Sequence, residues 1–252
     1  MARKPRILSE SGMYHIVSRG IDKMSLFVED EDCIYFLKCL RLISEDEGVE
    51  VHCYCLMDNH FHLLVKTKDQ ESPATFMQRL KIKYTLYFNR KYERLGPLYQ
   101  ERYKSECIED DQYYMTVFRY ILRNPVKAGV VRDPFEYKWS SAEELAADCA
   151  YITKISDECL YVTKKELVDF IKESSDEKCV DVSDNVRYAS DRTAKRVFAS
   201  KHAGNVLLDV RFFEDNAKKE VFNLLYSVNC SIRQISRLTG IPRGIIKRLS
   251  AA

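Results

Sequence analysis

Two histidines flank a single apolar residue in the stretch Met57-Asp58-Asn59-His60-Phe61-His62-Leu63-Leu64-Val65. Side chains alternate across a strand, so His60 and His62 share one face while Phe61 turns toward a core. Paired imidazoles on a rigid strand make half of a divalent-metal site. The same pattern also describes two histidines on a solvated strand face, and taken alone the pair favours that reading. The nine cysteines offer no rival site. They are scattered and odd in number, and none forms a Cys-x-x-Cys pair. With no secretion signal before them, they read as free thiols, several of them small core residues.

The elements around the pair predict a mixed fold. Met13 to Gly20 alternates as a strand, and Asp30 to Glu47 repeats Cys33, Phe36, Leu37, Leu40 and Ile43 at helical spacing before Gly48 stops it. Val49 to Leu56 and His60 to Thr67 are two strands joined by the turn residues Asp58-Asn59. Ser72-Pro73 opens a second helix, and Ser105 to Ile108 suits a short fourth strand. Asp110-Asp111 caps a helix to about Arg123, where Asn124-Pro125 ends it. This order is the split βαβ of a ferredoxin-like α+β domain with an antiparallel sheet. It puts the His60/His62 strand in the middle and packs helices on one face. His52, in the second strand, reads as a structural or neighbouring group.

Charge divides the chain further. Residues 1–132 are nearly balanced, residues 133–191 carry 7 basic against 15 acidic groups, and residues 192–252 carry 12 against 4. Three parts follow: a catalytic candidate over 1–142, an acidic spacer with a helix over 143–191, and a basic helical unit over 192–252. Between 78 and 104 there are eight basic and two acidic residues, interleaved with aromatics. Single-stranded nucleic acid asks for such phosphate charge and base stacking. No apolar run reaches membrane-spanning length and the N-terminus lacks a signal-peptide core, so a cytoplasmic protein without a membrane partner is expected.

Phe118-Arg119-Tyr120-Ile121-Leu122-Arg123-Asn124-Pro125-Val126-Lys127-Ala128-Gly129-Val130-Val131 follows the fourth strand, and Trp139-Ser140-Ser141 comes later. With the histidine stretch, these motifs resemble the single-tyrosine HUH transposases, above all the REP-associated tyrosine transposases and their insertion-sequence cousins. The resemblance spans residues 10–142 in order and spacing. It implies that His60 and His62 bind a divalent ion, Mg²⁺ or Mn²⁺, and that Tyr120 is the nucleophile. In the shorter insertion-sequence relatives a polar residue one turn later, usually glutamine, completes the metal site. Here that position is Asn124, which agrees with the REP-associated branch and leaves direct or water-mediated contact open.

Simple chemistry agrees with that implication. Tyr120 and Asn124 are four apart and share a helical face. A phenol of pKa about 10 is a weak nucleophile until a metal or base helps it. Attack on a phosphodiester would leave a 5′-phosphotyrosine and a free 3′-hydroxyl, with no need of ATP for rejoining. Tyr113 and Tyr114 are rival nucleophiles, ranked lower because one lies two turns away and the other on a different face. Arg79, Lys83, Arg102, Lys104, Arg119 and Arg123 form a group of candidate phosphate contacts.

At the C-terminus, Ser231 to Leu249 resembles a helix-turn-helix. Ser231 caps the first helix, Gly240 makes the turn, and a second helix from about Pro242 carries Arg243, Lys247 and Arg248 toward a duplex. The expected function is a metal-dependent transposase-like strand transferase. Its expected substrate is single-stranded or hairpin DNA of palindromic repeat ends, and it would work alone or as a homodimer. Two other readings fit the same residues: a domesticated DNA-binding regulator, and an RNA-binding protein on a ferredoxin-like sheet.

Overall fold

The structure, a computed structural model, describes residues 7–68, 72–147, 151–154, 163–174, 179–181, 189, 191–202, 204–228 and 230–250. Four strands form one sheet: β1 (Met13–Arg19), β2 (Glu50–Met57), β3 (His60–Lys66) and β4 (Lys104–Cys107). Their order is β2-β3-β1-β4, with every neighbouring pair antiparallel. This is the ferredoxin-like α+β arrangement, and it sets the His60 strand beside β1 in the centre.

Helix α1 (Asp30–Glu47) connects β1 to β2 and α2 (Ala74–Lys91) connects β3 to β4. Asp32 accepts from the Glu29 amide at 3.0 Å to cap α1, and Gly48, at φ 63°, ends it in the left-handed conformation. Both helices lie on one face of the sheet, over Tyr14, Ile16, Phe61, Leu63 and Val65. Phe61 is fully buried there, and a side chain of its size adds roughly 1.5–3 kcal/mol on burial.

The opposite face is covered as well, where helices on one face alone were expected. Helix α3 (Asp111–Leu122) packs on Met13, Cys53, Cys55, Met57 and Leu64. Asp110 caps it by accepting from the Tyr113 amide at 2.7 Å. Pro125 does not terminate the helical path. After Arg123 the chain re-enters a single turn, α4 (Asn124–Lys127), with the proline in the first turn, where no amide donor is needed. Asn124 therefore opens a new turn close to the sheet.

Strand β2 slips register between Val51 and Cys53. Such a bulge turns two successive side chains to one face. Cys53 enters the α3 core, and His52 Nδ1 meets the Tyr114 hydroxyl at 2.9 Å. His52 is thus a buried structural group, pushed by desolvation from 6.5 down to about 4. The Trp139-Ser140-Ser141 motif protects the outer edge of β2. The Leu56 amide donates to Trp139 O at 2.8 Å and the Tyr54 amide to Ser141 Oγ at 3.0 Å.

Beyond α5 (Ala142–Ala147), helix α6 (Lys164–Lys172) inserts Leu167 and Ile171 into the α3 core. Thr163 and Glu166 form its capping box. The Ser174–Lys178 linker lies mostly outside the described residues. Helices α7 (Asp191–Lys201), α8 (Asp215–Ser227), α9 (Ile232–Thr239) and α10 (Arg243–Ser250) enclose a separate core of Phe198, Val210, Phe222, Leu225, Ile235 and Ile246. Gly240, at φ 70°, turns α9 into α10. Asp191 ties this unit to the first: it accepts from Arg237 at 2.6 Å, from Gln234 at 2.8 Å and from the Ser25 amide at 3.2 Å. No helix among the described residues is long and apolar enough to cross a membrane.

Candidate active site

Strand register decides which side chains meet. His62 pairs with Val17, His60 with Arg19, and His15 with Glu106. Alternation then turns His15, Arg19, His60, His62, Lys104 and Glu106 toward the α3 side of the sheet. On that side the Tyr120 ring stands edge-on to His62, with centroids 5.8 Å apart, and Asn124 Nδ2 lies 3.2 Å from His62 Nε2. The His60/His62 pair and the Tyr120/Asn124 pair, distant from each other in the chain, therefore share one small site. The rival tyrosines have other partners: Tyr113 bonds Glu106, at the margin of the site, and Tyr114 bonds His52.

Two contributors were not singled out from the sequence. Asp181, from the acidic segment, accepts from the Tyr120 hydroxyl at 2.7 Å through Oδ2, while its Oδ1 lies 3.8 Å from His62 Nε2. The neighbouring backbone is held by Lys104, whose Nζ donates to Asp181 O at 3.0 Å, and by the Val180 amide, which donates to Glu106 at 3.2 Å. No local pattern in the sequence marks Asp181. His15 is the other: fully buried, it places Nε2 3.0 Å from His62 Nδ1. Its signal was present, because His15 and Arg19 have the same strand parity.

Burial governs the electrostatics. Desolvation lowers the pKa of His62 well below 6.5, and His60 and His15 push it further down. Burial likewise lowers His15, against a partly restoring effect of Glu106. Both imidazoles are neutral at pH 7, the state in which imidazole binds a metal. Burial raises the Tyr120 phenol above its usual 10 and the Asp181 carboxylate raises it further, while Asn124 acts in the opposite sense. Lys127 Nζ, 4.4 Å above the Tyr120 ring, favours negative charge on that side chain.

The donor set fits a divalent cation. His60, His62 and Asp181 each offer a ligand atom, all within 4.8 Å of one another. His60 Nδ1 contacts Asn59 Oδ1 at 2.8 Å, a bond that suits hydrogen on Nδ1 and a lone pair on Nε2. Two imidazoles and a carboxylate suit Mn²⁺ and are compatible with Mg²⁺.

The cationic candidates divide. Arg79 and Lys83 belong to α2, on the far side of the sheet, and Arg79 pairs there with Asp46 at 3.0 Å and with Glu47. Arg119 stacks on Phe170 at 4.2 Å and Arg123 donates to Ile171 O at 3.1 Å, so both hold α6. Arg102 and Lys104 line a shallow recess with Arg19 beside the site. Arg243, Lys247 and Arg248 are exposed on α10.

An α+β ferredoxin-like domain with histidines and a tyrosine gathered on its sheet is the class this fold and site define. Residues 9–124 match the family model described as "Transposase IS200 like". Over those residues, somewhat under half of the chain, the protein is similar to the IS200-like transposases. A solved REP-associated tyrosine transposase bound to a REP hairpin is similar in fold, with 18% identity and a TM-score of 0.51 over 62% of this chain and 93% of that one. A structure from Deinococcus radiodurans R1 matches with 19% identity and a TM-score of 0.35, covering 48% of this chain and 95% of the other. No curated protein matches the chain.

Proposed function

We propose that this protein cleaves and rejoins single-stranded or hairpin DNA through a covalent 5′-phosphotyrosine on Tyr120, with a divalent cation held by His60, His62 and Asp181. One observation carries the reading: the Tyr120 hydroxyl and His62 Nε2 approach the two different oxygens of the same carboxylate. Asn124, beside His62 Nε2, orients that edge of the site directly or through water.

The chain's own groups divide the work. Tyr120 Oη attacks the phosphorus, and its proton passes along the existing hydrogen bond to Asp181 Oδ2. The bond from phosphorus to the 3′-oxygen breaks, and that oxygen takes a proton from solvent to become a 3′-hydroxyl. Lys127 favours negative charge on the tyrosine as the proton leaves. The bound cation would supply Lewis-acid polarisation of the scissile phosphate. The covalent link conserves the phosphodiester, so the 3′-hydroxyl can attack in the reverse direction and rejoin the strand.

DNA would approach along the Arg19, Arg102 and Lys104 recess, with Arg243, Lys247 and Arg248 of the α9–α10 pair meeting a duplex segment. Arg119 and Arg123 reach phosphates only if α6 moves. Arg79 and Lys83 would serve a strand crossing the α2 side.

Oligonucleotides with hairpin and single-stranded segments, incubated with Mn²⁺ or Mg²⁺, should form a protein–DNA adduct that survives denaturation. Tyr120→Phe should abolish it and EDTA should prevent it. Adducts persisting in Tyr120→Phe would refute the assignment. Metal-independent binding without any adduct would favour the regulator reading, and a preference for RNA the third one.

A further inference from the structure

The cation reading leaves a buried pair of histidine rings unexplained. His15 and His62 are both fully buried, their rings lie 23° from parallel with centroids 5.3 Å apart, and His15 Nε2 faces His62 Nδ1 at 3.0 Å. Two neutral imidazoles can make that contact in two ways, and only one suits a metal ligand. If His62 Nδ1 carries the hydrogen, its Nε2 presents a lone pair to the site. If His15 Nε2 carries it, His62 Nε2 must hold a hydrogen and cannot bind a cation.

The far end of the pair selects between them. His15 Nδ1 faces Glu106 Oε2 at 3.8 Å, across the direct β1–β4 register pair. An ionised carboxylate only accepts, so it favours hydrogen on His15 Nδ1 and leaves His15 Nε2 as an acceptor. Glu106 is itself fixed by the Val180 amide at 3.2 Å. At the near end, Asn124 Nδ2 lies 3.2 Å from His62 Nε2, which agrees with a lone pair there. Asp181 Oδ1, 3.8 Å from the same nitrogen, acts in the opposite sense until a cation stands between the two acceptors.

We propose that His15, directed by Glu106, is a positioning residue: it sets the tautomer and ring orientation of His62 so that Nε2 faces the cation. The inference rests on the cation reading of the site, and it extends the working centre from three ligands to a row of side chains crossing β4, β1 and β3, running from the half-buried Glu106 to the buried His15 and His62. Partners of this kind are worth 10–100-fold in metal affinity.

The test uses the full chain. Long-range proton–nitrogen spectra of the metal-free ¹⁵N-labelled protein should show His62 with hydrogen on Nδ1 and a bare Nε2. Mn²⁺ titrated into His15→Phe, which keeps a flat ring but no acceptor, should bind roughly 10–100-fold more weakly than into the unaltered protein. His15→Gln, whose Oε1 can still accept from His62, should stay within about threefold. Unchanged affinity in His15→Phe overturns the proposal, as does equal loss in both variants or a His62 Nε2–H tautomer in the spectrum. Should His15→Phe fail to fold, His15→Gln and the spectrum decide. If His62→Ala leaves Mn²⁺ binding unchanged, the cation reading itself has failed, and the spectrum alone then judges His15.

Discussion

Replacing Asp181 by alanine separates a working carboxylate from one that merely shields the tyrosine. The side chain makes a charge-assisted contact with Tyr120 at 2.7 Å and approaches His62 at 3.8 Å. A hydrogen bond to a charged group contributes about 1.5–3 kcal/mol. Asp181 is 44% exposed, so solvent screening brings the phenol contact to the lower end or below, about 1 kcal/mol. The larger loss should come from the cation. Removing the only carboxylate of a three-ligand set should weaken Mn²⁺ at least as much as removing an outer partner does, roughly 10–100-fold or about 1.4–2.7 kcal/mol. Isothermal titration of Mn²⁺ into Asp181→Ala and Asp181→Asn gives the affinity, and adduct formation at saturating Mn²⁺ gives the proton-transfer contribution. Asp181→Asn keeps a neutral oxygen and should fall between the other two proteins. Unchanged Mn²⁺ affinity with faster adduct formation would refute the reasoning. Asp181 would then be a plug that DNA must displace.

Other consequences are checked as directly. His52 titrates at about 4 in the fold against about 6.5 unfolded, so the unfolded state binds more protons in between and stability falls as pH drops through that window. The full effect is about 3 kcal/mol, and His52→Gln should flatten the difference between denaturant midpoints at pH 7 and pH 4.5. Burial opposes ionisation of Asp191, but Arg237 and Gln234 outweigh it and hold the pKa below the usual value. Its contribution is therefore present above the unfolded carboxylate pKa and lost as pH falls through the folded one. Arg237→Ala, which leaves that buried carboxylate underpaired, should cost about 3–5 kcal/mol and release the C-terminal helices to proteolysis first. Replacing Arg243, Lys247 and Arg248 together with glutamine should reduce the salt slope of duplex binding by about three and leave Mn²⁺ affinity unchanged.

Much of this protein is written in local pattern. The alternation of His60-Phe61-His62, the helical repeat ending at Gly48 and the Ser231 cap before the Gly240 turn each follow from the conformational limits of a few neighbouring residues. The order of those elements was enough to specify the ferredoxin-like sheet, because hairpins and split βαβ units admit few topologies. The motifs around His60 and Tyr120 carried the family resemblance for the same reason: they are short, separated and ordered.

Tertiary structure decided which of these residues meet. Register sets His15 against Glu106 and next to His62, although 47 residues separate the two histidines. The bulge at His52 turns that side chain into the α3 core, where alternation alone would not put it beside Cys53. Arg79 and Lys83 have the same charge as Lys104 but lie across the sheet from the site, a distinction invisible in composition. Asp181 is the clearest case. It sits in a segment whose acidity suggested only a spacer, yet Lys104 and Glu106 hold its backbone so that its carboxylate reaches Tyr120. Local propensity reaches a few residues along the chain. A contact spanning 61 residues between Tyr120 and Asp181 exists only because the packed sheet and helices bring the two together.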